Sequence, residues 1–324
     1  MSDKQLSNGH LVSFAALLRD SIPEVLIQGA FAWHDGQRFI SSHGSDIEIP
    51  ARSLLKPWQL LATNLLSQQS DVSMALASHN GTESHIVEIE DLARRLAVGE
   101  GEILCPKSWP MDPESAFRMK EKKFEQRSVA HPCAGKHLAI VAACKQAGWD
   151  PSTYGDLDHP YHQALKRTLK HYGFESQQWL MDSCGVPTPV CSLVDLADLW
   201  RNLALDGSQS AEDLKKCMWQ FPGKIGGTDR LDSQLLEAGK SHILAKEGAD
   251  GLLVIQSSGD DLCQTLLIKL ASGYNRQHLV YAGLAVLESQ KQTLGPAMKI
   301  AYDHLVAQAQ KSCPSDQNLL TFEL

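Results

Sequence analysis

The sequence predicts an α+β fold in which an antiparallel sheet is built from both chain ends around a mainly helical middle. Strand-like apolar runs occupy residues 25–33 and 252–270, and helix-period apolar spacing dominates from about 70 to 222. The two element types are also segregated along the chain, whereas βαβ units would alternate them. The 324 residues, 43% of them hydrophobic, read as a single unit spanning 1–324. Within it, 1–69 plus 223–324 form the sheet region and 70–222 the helical region.

Each element has a local reason. Residues 25–33 (VLIQGAFAW) are β-rich, Asp35-Gly36 is a hairpin signal, and Arg38–Ser42 returns as the partner strand. Leu54, Leu55, Trp58, Leu61, Ala62, Leu65 and Leu66 recur at helical spacing from a start near Ser53. Pro57 falls in that helix's first turn, where its absent N–H has no intrahelical partner to lose. Stretches 84–97, 134–147, 159–172, 193–205 and 210–219 each carry a 3.6-period apolar face. Residues 138–144 (LAIVAAC) are apolar nearly all round, which marks a central helix, and Gly148 followed by Pro151 stops it. Stretches 99–113 and 221–232 read as loops. Leu252–Gln256 and Cys263–Leu270 are strands joined by the polar loop Ser257–Asp261, and two helices follow at 276–289 and 293–310.

Composition excludes several function classes. The net charge is −8 and no basic run exists, so neither nucleic acid nor anionic lipid is an expected partner. No apolar stretch approaches the ~20 residues of a membrane span, and Met1 to His10 is polar, which predicts a cytoplasmic protein. Eight cysteines without a CxxC pair are too dilute for a disulfide scaffold and read as free thiols.

Three small motifs occur in an informative order. Ser53-Leu54-Leu55-Lys56 is S-x-x-K, Ser78-His79-Asn80 is S-x-N, and Lys246-Glu247-Gly248 is K-x-G just ahead of a strand. Singly they read as an N-cap followed by a solvated lysine, a helix-ending turn and a solvated loop. Together they are similar to the ordered set of the penicillin-recognising serine hydrolases, although Ser53 and Ser78 are closer in sequence than in β-lactamases and Glu247 replaces Thr or Ser. A lysine of pKa ~10.4 is neutral about once in 2,500 molecules at pH 7. Burial and a second ammonium, here Lys246, would make Lys56 able to take the Ser53 proton.

A second cluster involves sulfur. Cys133 precedes a helix N-terminus, where unpaired N–H groups favour thiolate, and Cys184 sits in the polar turn Asp182-Ser183-Cys184-Gly185. Spacing leaves two readings open: inert thiols, or a metal pair with His131 and His137 as the obvious additional ligands. The Gly135-Lys136 pair is no phosphate loop, because Ala130 and His137 stand where Walker A needs Gly and Ser or Thr.

In register, residues 52–57 (RSLLKP), 77–81 (ASHNG), 133–137 (CAGKH), 183–188 (SCGVPT) and 245–251 (AKEGADG) resemble the asparaginase II family of the rhizobial inducible type. The resemblance implies a serine β-lactamase-like fold, hydrolysis of L-asparagine to L-aspartate and ammonia, and a homodimer. It implies Ser-Lys tandems at Ser53 with Lys56 and at Ser78 with Lys246. It also implies a zinc ion on Cys133, Lys136 and Cys184, with water as fourth ligand and Asp182 beside it. Arg52 and Asn80 become supporting residues, with Arg52 or the zinc as receiver of the substrate carboxylate. The chain departs from the family pattern at His131-Pro132, where two asparagines are expected, and at Ala134, where serine is usual. The alternatives are a related serine glutaminase, small amidase or esterase, or a non-catalytic zinc-dependent amino-acid-binding protein.

Overall fold

The sheet begins with a turn that the strand pattern did not reveal. Asp20 and Ser21 both adopt left-handed backbone, with φ of 48° and 69°, the conformation that suits a two-residue hairpin between twisted strands. The first hairpin therefore joins Val12–Arg19 to Ile22–His34. A computed structural model describes residues 11–41, 47–66, 72–259, 262–322 and 324. Residues 1–10, Ser42 at the end of the expected return strand, and residues 260 and 261 of the expected polar loop lie outside them.

In chain order the strands are β1 (Val12–Arg19), β2 (Ile22–His34), β3 (Phe39–Ser41), β4 (Ile49–Pro50), β5 (Trp179–Met181), β6 (Pro187–Cys191), β7 (Ile243–Gly248), β8 (Leu252–Ser257), β9 (Thr265–Leu270) and β10 (Asn318–Thr321). The helices are α1 (Lys56–Leu61), α2 (Ser73–Leu76), α3 (Glu83–Arg95), α4 (Pro113–Glu121), α5 (Ala134–Ala147), α6 (Pro160–His171), α7 (Leu193–Leu205), α8 (Gln209–Gln220), α9 (Pro222–Ile225), α10 (Leu231–Gly239), α11 (Arg276–Ser289) and α12 (Pro296–Ser312). The architecture is α+β. Among the described residues no helix is long and apolar enough to cross a membrane.

The chain divides into two compact units. The sheet unit contains residues 1–54, 191–205 and 235–324. Its strands run antiparallel in the order β10-β1-β2-β9-β8-β7, with β3 paired to β2. Every residue of β7 and β8 is buried, so both faces of the sheet are covered there. Helices α11 and α12 pack on each other and on the strands, and α7 packs on β2, β8 and β9 although it lies mid-sequence. Gly29 permits the close β2–β9 approach: a Cβ there would come within 2.2 Å of the Lys269 carbonyl oxygen.

The helical unit contains residues 55–190 and 206–234. Its centre is α5, buried from Ala134 through Cys144 and packed on α1, α2 and α3. Gly148 ends α5 with φ of 69°, the left-handed cap that glycine takes without strain. Gly135 lets α5 meet α2 backbone to backbone, because a Cβ would lie 2.0 Å from the Met74 carbonyl oxygen.

Several local expectations are corrected. The helix expected from Ser53 to Leu66 is a 3₁₀ turn, Arg52–Leu55, followed by the short α1, and left-handed Asn64 (φ 57°) turns the chain away. K-x-G lies inside β7 rather than ahead of a strand. Lys246 and Glu247 are buried polar residues in that strand and hide its apolar pattern. The loops expected at 99–113 and 221–232 contain the short helix α9 and the starts of α4 and α10.

Candidate active site

Helix α1 opens with Lys56, a 1% exposed amine. Its Nζ donates to the carbonyls of Ala77 and, at 3.3 Å, of Pro132, and lies 3.0 Å from Ser78 Oγ. The partners meet because α2 ends at Leu76 and Ala77 turns extended, sending Ser78-His79-Asn80 along the loop after α9. There Ser78 N donates to Ile225 O at 2.7 Å and Asn80 N to Gly226 O at 3.1 Å. Asn80 Oδ1 accepts from Arg230 Nη1 at 3.4 Å. The Gly135 contact presses α2 against the start of α5, next to Pro132.

His79, within the S-x-N motif, is fully buried and stacks on His85 with ring centroids 5.4 Å apart. Neither of its ring nitrogens has a partner among the described residues. Burial, reinforced by His85 and Lys56, holds its pKa well below the usual imidazole value. It is a neutral ring beside Lys56.

The sulfur cluster forms at the other side of Pro132. Cys133 is the N-cap residue of α5, Lys136 follows in the first turn, and Cys184 sits in a turn closed by Gly185 N donating to Asp182 O at 2.9 Å. Lys136 Nζ donates to Cys184 Sγ at 3.1 Å, and Cys184 hydrogen-bonds Cys133. That bond, with the Lys56 and Lys136 ammonium groups and His131, overcomes burial and holds Cys133 well below the usual thiol range. The same bond, with burial, pushes Cys184 up. Burial opposes the Lys136 charge, but the sulfurs of Cys184 and Cys133 outweigh it and raise its pKa. Asp182 Oδ1 accepts from Ser183 N at 2.7 Å, and its charge also acts on Lys136.

Two sulfurs and one amine suit a soft, four-coordinate ion such as zinc, so the donor set fits that metal. Among the described residues no three His, Cys, Asp or Glu side chains form a metal-holding group. The histidine ligands suggested by spacing are therefore corrected. His131 Nδ1 accepts from Cys133 N at 3.1 Å, and His137 Nδ1 is 2.6 Å from the Tyr154 hydroxyl.

The sheet unit holds the remaining expected residues. Ser53 is half-buried in the 3₁₀ turn that starts at Arg52, whose own backbone is left-handed at φ 51°. Arg52 forms an ion pair with Asp250. Lys246 is 1% exposed and lies opposite Val254 in the β7–β8 ladder. Ser53 and Lys246 thus belong to the sheet unit and Lys56 and Ser78 to the helical unit, with the boundary between Leu54 and Leu55.

Sequence reasoning missed Asp250, His79 and the carbonyls of Ala77 and Pro132. A carboxylate four residues after Lys246, and a histidine inside S-x-N, were the available signals. The family model of L-asparaginase II matches residues 15–313. The chain belongs to the L-asparaginase II family. No curated protein matches the chain. Family membership identifies an amidohydrolase lineage with a small-molecule substrate and makes asparagine hydrolysis the activity to account for.

Proposed function

We propose that this L-asparaginase II family member hydrolyses L-asparagine to L-aspartate and ammonia through a serine acyl-enzyme. Ser53 attacks the side-chain amide carbon as Lys56 takes its proton, ammonia leaves, and water resolves the ester. Ser78 and Lys246 pass protons and balance charge, and backbone N–H groups stabilise the oxyanion. Asn80 and Asp182 support the substrate. Arg52 receives the α-carboxylate by exchanging its Asp250 partner. The reading takes the sheet and helical region as one serine β-lactamase-like catalytic unit, active as a cytoplasmic homodimer.

The observation that carries this reading is the buried Lys56 amine 3.0 Å from Ser78 Oγ. Once its ammonium has lost a proton, Lys56 keeps two hydrogens for the carbonyls of Ala77 and Pro132 and has a lone pair for a hydroxyl proton. The same contact favours a second reading in which Ser78 is the acylated serine. Zinc held by Cys133, Lys136 and Cys184 would orient or polarise the substrate. Lys136 and Cys184 must lose protons to bind it, so metal affinity and activity should rise toward basic pH.

Acid quenching during asparagine turnover, followed by peptide mapping, tests both readings. An aspartyl ester on Ser53, with Ser53→Ala and Lys56→Ala inactive, supports the first. An ester on Ser78 transfers the role to that serine. Turnover surviving in both Ser53→Ala and Ser78→Ala overturns the acyl-enzyme, and faster glutamine hydrolysis at matched concentration overturns the substrate.

A further inference from the structure

We infer that Ser233 is a positioning residue of the active site: its one hydroxyl oxygen sets two peptide planes that carry Ser78 and Asn80. Its catalytic consequence rests on the proposed role of Lys56 and Ser78. Ser233 is 3% exposed and stands in the first turn of α10. A polar side chain at that position ordinarily reaches back to the N–H at the start of its own helix. Ser233 reaches past it. Its Oγ accepts from Gly226 N at 3.0 Å and from Gly227 N at 3.2 Å, seven and six residues back, which engages both lone pairs of the hydroxyl.

Peptide geometry carries those two bonds to the site. The peptides of this turn are trans, and in a planar trans peptide the carbonyl points opposite to the N–H of the next residue. Holding Gly226 N–H on Ser233 therefore turns the Ile225 carbonyl away from it, and that carbonyl accepts from Ser78 N at 2.7 Å. Holding Gly227 N–H does the same for the Gly226 carbonyl, which accepts from Asn80 N at 3.1 Å. Both ends of the S-x-N motif are thus fixed by planes whose other sides meet at one oxygen.

The turn is shaped for this task. Gly226 has no room for a side chain, since a Cβ would lie 2.6 Å from Asp232 Oδ1 and 2.7 Å from Arg230 Cβ. Gly227 has φ of 126°, which only glycine adopts without strain, and a Cβ there would lie 3.3 Å from Asn80 Nδ2. Arg230 N closes the turn on Gly227 O at 3.0 Å, and Arg230 Nη1 donates to Asn80 Oδ1. Asn80 O accepts in turn from Asp112 N at 2.8 Å. Arg230 thus holds the Asn80 side chain, while Ser233 governs the backbone of Asn80 and Ser78. A single staggered torsion separates the Ser78 backbone from its Oγ. Any backbone shift is passed directly to the oxygen 3.0 Å from Lys56 Nζ.

The test compares Ser233→Ala with Ser257→Ala in the full chain. Ser257 is also buried, and its Oγ accepts a backbone N–H, from Gln264 at 2.7 Å, in the sheet unit. Residue-resolved hydrogen exchange is the first readout and needs no substrate. In Ser233→Ala the amides of Ser78 and Asn80 should exchange at least about tenfold faster, while that of Gly185, bonded to Asp182 O, keeps its rate. Ser257→Ala should leave all three amides at their wild-type rates. The second readout is asparagine turnover per folded molecule. Ser233→Ala lowers kcat about tenfold or more, Ser257→Ala leaves it unchanged, and Ser233→Thr, which keeps the oxygen, recovers it to within about threefold of wild type. If Ser233→Ala does not fold, Ser233→Cys, with a weaker acceptor in the same place, gives the same two shifts. Unaltered exchange at Ser78 and Asn80, or faster exchange with wild-type kcat, overturns the inference. A wild-type protein that does not hydrolyse asparagine refutes the proposed function instead, and the exchange rates still decide whether Ser233 holds the motif.

Discussion

The two units bury polar groups in different ways. At one end of the sheet unit, Gln256, Ser257, Gln264 and Thr265 are wholly buried and neutral. Gln264 donates to Thr293 O at 2.8 Å and accepts from Gly295 N at 2.8 Å, its own N–H reaches Ser257 Oγ at 2.7 Å, and Thr265 donates to Gln256. The helical unit instead buries ammonium groups, thiols and imidazoles: Lys56, Lys136, Cys184, His79, His137 and His162. A satisfied neutral network secures strand ends, whereas buried charges and half-satisfied rings oppose stability. Chemistry is therefore sought where burial is unfavourable. Lys246 and Glu247 are the sheet unit's counterparts, and they lie in the K-x-G motif.

The largest expected contrast tests that division. Lys56→Met removes the amine from Ser78 and two carbonyls, and turnover should fall by about 10³-fold or more while the protein stays folded. Gln264→Leu should do the reverse, lowering stability by roughly 2 kcal/mol with turnover per folded molecule unchanged. Initial rates and denaturant midpoints of the two variants measure both effects. Equal losses of activity in both would erase the distinction.

A steric pair sharpens it. Gly29→Ala and Gly135→Ala place a methyl group 2.2 Å and 2.0 Å from a carbonyl oxygen, of Lys269 and Met74 respectively. Both should destabilise by about 3 kcal/mol. Only Gly135→Ala displaces α2 from α5, and with it the Lys56–Ser78 contact, so only it should also depress the turnover of the folded fraction. Comparable turnover in the two variants would show that the α2–α5 approach does not position the site.

These glycines also show how far sequence reaches. Gly135 stood in a legible motif, CAGKH, yet its role depends on Met74, a partner remote in sequence. Helices with strong periodicity or a clear stop were legible: α5 and α7 match their expected spans, and Gly148 closes α5. Strands β1 and β10 were missed because VSFAALLR and NLLT are too rich in Ala and Leu or too short to announce strands, and pairing across the chain ends makes them. At the site, the local motif S-x-x-K pointed to Lys56 beside Ser53, whereas the serine hydrogen-bonded to it is Ser78, a non-local contact.

A pH experiment comes next in size. Burial lowers the His162 pKa to about 4, its Nε2 being 2.8 Å from Tyr154 O. His79 and His137 are shifted the same way. The unfolded chain, with imidazoles near 6.5, binds protons that the folded state refuses. Stability is therefore fully present above pH ~6.5 and is lost as pH falls toward ~4. His162→Gln, which cannot titrate, should reduce the stability difference between pH 7 and pH 4 by roughly 3 kcal/mol in urea melts. An unchanged difference would mean that His162 titrates normally.

The smallest effect compares two helix caps. Thr82 caps α3 by accepting from His85 N at 3.4 Å, and Asn275 caps α11 by accepting from His278 N at 3.1 Å. Replacing either by Ala should cost about 1 kcal/mol. Thr82 Oγ1 is also 2.6 Å from His85 Nδ1, while His85 Nε2 reaches Gly223 O at 3.2 Å. Thr82 thus fixes the ring on which His79 stacks beside Lys56. Thr82→Ala should consequently lower kcat severalfold and shift its pH profile, whereas Asn275→Ala should leave both unchanged at equal loss of stability. Matching kcat profiles for the two caps would reduce His85 and His79 to packing residues and confine the chemistry of this unit to its amines, hydroxyl and sulfurs.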